Sequence, residues 1–157
     1  HRAENTDSPE RLQSIIAALE EIAREMPVVI PIHPRTRKKL QELNFNFKQT
    51  RLQLVDPVGY LEMVYLLKHC SLVATDSGGL QKEAYFFKKY CITLRTETEW
   101  VELVEQGANI ITGWRYEDIL NSYKQLKHTT KDVFSSPLYG DGQAGHIIIR
   151  ELQRIDS

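Results

Sequence analysis

Apolar residues at Leu12, Ile15, Ile16, Leu19, Ile22 and Ala23 recur three and four apart, which places them on one stripe of a helix running to about Glu25. Ser8 and Pro9 suit its N-cap and first position, because the serine oxygen can accept from an orphan N–H and proline has none to leave unsatisfied. The period then changes. Residues 27–32, Pro-Val-Val-Ile-Pro-Ile, form an uninterrupted apolar run that fits a strand covered on both faces. Strand and helix alternate from there: helix 35–43, strand 51–55, helix 60–69, strand 71–75, helix 80–88, strand 91–94, a short helix 98–106 closed by Gly107, strand 109–112 and helix 116–127. An irregular stretch at 131–143 and a last helix over 142–154 complete the reading. Connections of two to six residues between such elements predict right-handed crossovers. The expected fold is therefore α/β, a doubly wound, Rossmann-like parallel sheet with helices on both faces.

Length supports one such domain, since a chain of 157 residues can bury about 68–70% of its unfolded surface. With 20 Lys+Arg against 21 Asp+Glu the formal charge is −1, so no overall field draws the chain to nucleic acid or anionic lipid. Any anion chemistry has to be local. No apolar run reaches the roughly 18–20 residues that would span a bilayer, and neither a nucleic-acid nor a membrane partner is expected. Cys70 and Cys91 lie in apolar patterns without CxxC spacing, which argues against a disulfide framework or a zinc site and for a reducing, cytoplasmic setting. Residues 1–5, His-Arg-Ala-Glu-Asn, show no initiator methionine, signal pattern or tag, which predicts that the chain begins inside a longer protein.

Ligands of open α/β sheets gather beyond the carboxyl ends of the strands. Residues following the predicted strands there include His33-Pro34-Arg35, Asp56-Pro57, Asp76-Ser77-Gly78-Gly79 and Arg95-Thr96-Glu97. The strongest signal is 75–83, Thr-Asp-Ser-Gly-Gly-Leu-Gln-Lys-Glu, which runs from a strand end through two glycines into a helix. Gly78 and Gly79 permit close approach, the first-turn N–H groups favour a phosphate, and Ser77 adds a hydroxyl. Glu83, four residues after Gly79, falls on the same helix face, where its oxygens could accept from both hydroxyls of a ribose. The same spacing also suits a plain tight turn with a capped helix and a solvated acid. It is neither a Walker A loop nor G-x-G-x-x-G. His1 and Arg2 at a helix entrance could bind phosphate or could be solvated chain-start charges. His33 and Arg35 could line the cleft or cap the helix that follows. Trp100 and Trp114 read as packing residues, with Trp100 close enough to a strand end to border a cleft. No triad order, paired glycosidase-like acids or H-x-x-x-H spacing supports an independent catalytic or metal site.

Taken together, the motifs at 1–5, 31–36 (Pro-Ile-His-Pro-Arg-Thr), Tyr60-Leu61, 75–84, 94–99 (Leu-Arg-Thr-Glu-Thr-Glu) and 139–144 (Tyr-Gly-Asp-Gly-Gln-Ala) resemble the C-terminal half of the non-hydrolysing UDP-N-acetylglucosamine 2-epimerases. The resemblance covers nearly the whole chain. It implies that residues 1–157 are the UDP-binding half of a glycosyltransferase-B-type enzyme whose N-terminal domain lies outside this chain. The implied reaction interconverts UDP-N-acetylglucosamine and UDP-N-acetylmannosamine by elimination and re-addition of UDP, with no metal or cofactor. In the resembled family the proton-moving acids belong to the N-terminal half. His1 matches a catalytic-site histidine, and Ser77, Gly78, Gly79 and Glu83 match the residues that hold the UDP phosphates and ribose. Arg2, His33 and Arg35 are expected beside the substrate. The fragment alone should be inactive, and the full-length enzyme should be a cytoplasmic homodimer. Two departures stand out: Trp100 where many members carry Arg after Thr-Glu, and Val58-Gly59 ahead of Tyr60. The Glu-Trp variant resembles the branch acting on UDP-diacetamido-glucuronic acid. A glycosyltransferase donor-binding domain and a non-catalytic nucleotide-sensing domain are the alternatives.

Overall fold

The structure, a computed structural model, describes residues 4–128 and 147–148. A single helical turn, α1 (Glu4–Asp7), leads into α2 (Pro9–Ile22), whose start is capped by Ser8 accepting from the Arg11 N–H with Pro9 in the first turn. Then follow β1 (Val28–Pro31), α3 (Pro34–Glu42), β2 (Gln53–Val55), α4 (Tyr60–His69) and β3 (Leu72–Thr75). The remaining elements are α5 (Gly78–Phe86), β4 (Tyr90–Thr93), α6 (Val101–Glu105), β5 (Asn109–Ile111), α7 (Tyr116–Lys127) and β6 (Ile147–Ile148). Gly107 ends α6 at φ 84°, a left-handed conformation that closes a helix at little cost only for glycine.

All strand pairs are parallel, in the order β2-β1-β6-β3-β4-β5. The chain winds outward from β1 to β2 and then returns to build β3, β4 and β5 on the other side. This reversal defines the topological switch point of a doubly wound sheet. Alternate strand residues face opposite layers. Leu72, Ala74, Tyr90 and Ile92 join one core with Leu12, Ile15 and Leu19 of α2 and Ile119, Tyr123 and Leu126 of α7. Val73 and Cys91 point the other way, onto Met63 and Leu67 of α4 and Leu80 and Ala84 of α5. Each fully buried aliphatic side chain contributes about 1.5–3 kcal/mol relative to exposure, so the strands are clamped from both sides. The even apolar runs in the sequence have this double covering as their cause.

One expectation fails. The helix predicted over 142–154 is not formed at Ile147–Ile148, which are extended and pair with β1 on one side and β3 on the other. Three consecutive isoleucines, Ile147 to Ile149, carry two heavy atoms on each Cβ, which restricts χ1 in a helix and favours extended backbone in a slot between two strands. The rest of that predicted helix, the irregular stretch at 131–143 and the motif at 139–144 lie outside the described residues. Among the described residues no helix is long and apolar enough to cross a membrane.

Both cysteines are free and buried, Cys70 beneath α4 and Cys91 within β4. Burial in apolar surroundings pushes each thiol up to about 12. At about pH 8 both should therefore remain protonated and shielded in the native chain. Titration with Ellman's reagent should find neither thiol until denaturant is added, and both afterwards; rapid native labelling of either would contradict this packing.

Candidate functional site

The turn from β3 into α5 is built by short-range hydrogen bonds. Thr75 Oγ1 accepts from the Ser77 N–H at 3.0 Å, and Ser77 Oγ accepts from the Leu80 N–H at 3.3 Å, which makes Ser77 the N-cap of α5. Gly78 and Gly79 are thus the first two helical residues. Their N–H groups precede any carbonyl that could receive them within the helix, so they point off its positive end. Among the described residues, a Cβ placed on Gly79 would meet only Ser77 Oγ, at 3.9 Å. This side of the turn is open to a ligand. At Gly78 a Cβ would fall 2.2 Å from Glu99 Oε2, so the Glu99 carboxylate lies directly against the glycine.

Glu83 is half-buried one turn further along α5, and its Oε1 is shielded without a hydrogen-bond partner among the described residues. It lines a groove of about 200 Å³ between α4 and α5, walled by Tyr60, Met63, Lys82 and Phe86. Tyr60 and Phe86 are exposed at 72% and 77%, so the groove has an apolar, solvent-facing rim. The structure therefore brings Ser77, Gly78, Gly79 and Glu83 onto one helix, the first three at its start and Glu83 one turn after Gly79. His33 is placed elsewhere: its Nδ1 accepts from the Arg35 N–H at 3.0 Å and caps α3 beyond β1. Two strand spacings, about 10 Å, separate β1 from β3 because β6 lies between them. Arg35 is exposed at the same helix start. His1 and Arg2 lie outside the described residues.

Several residues that the sequence did not single out hold this turn in place. Asn5, 4% exposed in α1, donates its side-chain amide to Asp76 Oδ2 at 3.0 Å and to the Leu94 carbonyl at 2.9 Å. It ties the chain start across the ends of β3 and β4. Gln81, on the buried face of α5, accepts from Thr98 Oγ1 at 2.6 Å and from Asn109 Nδ2 at 3.0 Å, while Thr93 Oγ1 donates to Asn109 Oδ1 at 2.5 Å. The Trp100 Nε1–H donates to the Gly78 carbonyl at 2.8 Å, and the Lys82 ammonium sits 5.2 Å from the centre of the Trp100 ring. Trp100 thus packs, as read from the sequence, and also anchors the segment 95–100 to the first residue of α5. The one local hint in the sequence was polar Gln81 at a helical phase that also carries Leu80 and Ala84.

A parallel α/β sheet with its best-formed polar turn at a strand's carboxyl end, entering a helix through capped glycines, defines a Rossmann-like domain of the ligand-binding kind. The sequence pattern of the UDP-N-acetylglucosamine 2-epimerase family matches residues 1–153, and the chain belongs to that family. It is 50% identical over 157 residues to the UDP-2,3-diacetamido-2,3-dideoxy-D-glucuronate 2-epimerase of Pseudomonas aeruginosa, covering 99% of this chain and 43% of the relative. It is 40% identical to the UDP-N-acetylglucosamine 2-epimerase of Methanocaldococcus jannaschii, covering 97% of this chain and 42% of the relative. A crystal structure of the M. jannaschii enzyme in complex with UDP-GlcNAc and UDP superposes with a TM-score of 0.76 at 40% identity, over 91% of this chain and 40% of that one. The chain spans less than half the length of these relatives.

The Asn5 amide is a buried donor with two acceptors, so its removal should leave both short of a partner. Asn5→Ala should cost about 1–3 kcal/mol by guanidinium unfolding. Unchanged stability would mean that α1 is not fastened to the strand ends in this way.

Proposed function

We propose that the chain is the UDP-binding half of a UDP-N-acetylglucosamine 2-epimerase, with the diphosphate at the start of α5 and the ribose at Glu83. The observation that carries this reading is the Ser77-capped turn, where Gly79 is exposed at the helix start, Glu99 lies against Gly78, and the half-buried Glu83 carboxylate follows one turn later. The N–H groups of a helix start suit an anion, and they matter most where charge develops on a departing group. In the proposed reaction the proton leaves C2 and UDP leaves C1, forming a C1–C2 double bond; UDP then re-adds at C1 and a proton adds to the opposite face of C2, which restores the sugar with C2 inverted. The residues that move the C2 proton are assigned to an N-terminal half of the full-length protein. His1 and Arg2, which precede Asn5 in the sequence, are assigned beside the substrate. His33 and Arg35 complete the cleft from β1, with the His33 ring already fixed by its capping bond. The full-length enzyme is proposed to be a cytoplasmic homodimer.

A second substrate is favoured by a specific observation. The P. aeruginosa relative, named for a diacetamido-glucuronate sugar, shares 50% identity, against 40% for the M. jannaschii enzyme, and Trp100 accords with that branch. Both sugars share the UDP moiety, so the α5 site serves either.

Calorimetry should detect UDP binding to this chain, and the chain by itself should not epimerise either sugar. In the full-length protein, Ser77→Ala and Glu83→Ala should each weaken UDP by about tenfold or more, the loss of one or more charge-assisted hydrogen bonds, and Gly79→Ala, which keeps its N–H, should weaken it by placing a methyl where the diphosphate approaches the backbone. Gly79→Ala is informative because the new methyl fits without a clash, and alanine suits a helix by about 0.5–1 kcal/mol over glycine. UDP affinity unaffected by all three would refute the site. Proton NMR of the product formed from each UDP-sugar identifies the substrate.

A further inference from the structure

We propose that the Glu99 carboxylate holds the phosphate seat at the start of α5 and is displaced from it when a nucleoside diphosphate binds, so that Glu99 sets how much ligand charge the site demands. This rests on the reading of the Ser77–Gly79 turn as a diphosphate site.

Three observations converge on Glu99. Its Oε2 lies 2.2 Å from the position a Cβ of Gly78 would take, against the first residue of the helix. The neighbouring Trp100 donates to the Gly78 carbonyl at 2.8 Å, so the segment bearing Glu99 is fastened to that same residue. Beneath it, Arg95 is only 8% exposed and donates from Nη1 to Glu99 Oε1 at 3.1 Å, while its Nε is shielded without a hydrogen-bond partner among the described residues. A buried guanidinium needs an anion. Glu99 supplies one, and leaves a donor of Arg95 unused.

A carboxylate and a phosphate are favoured at a helix N-terminus for the same reason, the positive end of the peptide dipoles. They cannot share the position, because two like charges a few ångströms apart repel, and more strongly at a protein surface than in bulk water. One of them has to leave. The Glu99 side chain is 54% exposed and can turn into solvent, whereas the Arg95 side chain, 7% exposed, cannot. Arrival of the diphosphate therefore exchanges one anion for another over a fixed cation. A nucleoside without phosphates does not reach the seat and leaves the Glu99–Arg95 pair in place. Glu99 thus acts as a specificity-determining residue that favours ligands bearing enough charge to replace it.

The test compares UDP and uridine binding by calorimetry in the full-length protein and its Glu99→Gln and Glu99→Ala variants, with thermal unfolding followed to establish that each folds. Both variants should bind UDP about three- to fivefold more tightly, the weight of one exposed ion pair, with uridine affinity unchanged. UDP affinity that stays level or falls in the variants, while the unaltered protein binds UDP, overturns the displacement and leaves the α5 site standing. An equal gain for uridine also overturns it, because the effect would then not concern phosphate. If the unaltered protein fails to bind UDP, the site reading falls and this inference with it.

Discussion

The start of a helix is a place where backbone donors have no partner of their own, and in this fold that requirement falls at the end of β3. Ser77 meets part of it by accepting from Leu80, and the two glycines leave the rest facing outward. Nearly every polar interaction in this part of the molecule follows from fixing that turn. Asn5 secures the carbonyl edge of β4 and the Asp76 side chain, Thr75 holds the Ser77 N–H, and Trp100 takes the Gly78 carbonyl. Without these ties the turn would be an ordinary surface bend.

The division of labour between the two sheet faces explains how such a turn can be rigid. α2 and α7 cover one face with most of the buried aliphatic residues, a core that needs no polar help. α5 lies on the thinner side, over Val73 and Cys91. Its underside makes up the difference with a polar set, Gln81 with Thr98 and Asn109, in place of further hydrocarbon. Buried hydrogen bonds are directional where apolar contacts are not. They fix the rotation of α5 about its axis, and with it the direction in which Gly79 and Glu83 face.

What could be read in the sequence was local. The alternating strands and helices were legible because strands covered on both faces must be apolar throughout and the helices between them must carry a stripe. Ser77, Gly78, Gly79 and Glu83 were legible because their relation is one of spacing along a single helix. Asn5 was not, since its partners Asp76 and Leu94 lie 71 and 89 residues away and only the folded sheet makes them neighbours. The same holds for Gln81 with Asn109. The strand at Ile147–Ile148 failed for another reason: two residues carry too little periodicity to announce themselves, and the slot between β1 and β3 decides their conformation. His33 showed both of its possible uses in the sequence, and the structure commits its Nδ1 to a cap.

The charges around α5 show why whole-chain arithmetic says little about the site. Lys82 and Arg95 stand against three carboxylates, Asp76, Glu83 and Glu99, in a chain whose own net charge is −1. Attraction for an anion there cannot come from excess positive charge. It has to come from oriented dipoles, which no count of residues records, and from how the fixed charges are arranged. Arg95 is buried, while Lys82 lies over the face of Trp100, whose indole is bonded to the Gly78 carbonyl. Two of the three carboxylates occupy different surroundings, Glu83 turned to the groove between α4 and α5 and Glu99 over the helix start. Without a positive excess, the cluster is strongly polar in layout, and layout is what a charged ligand meets.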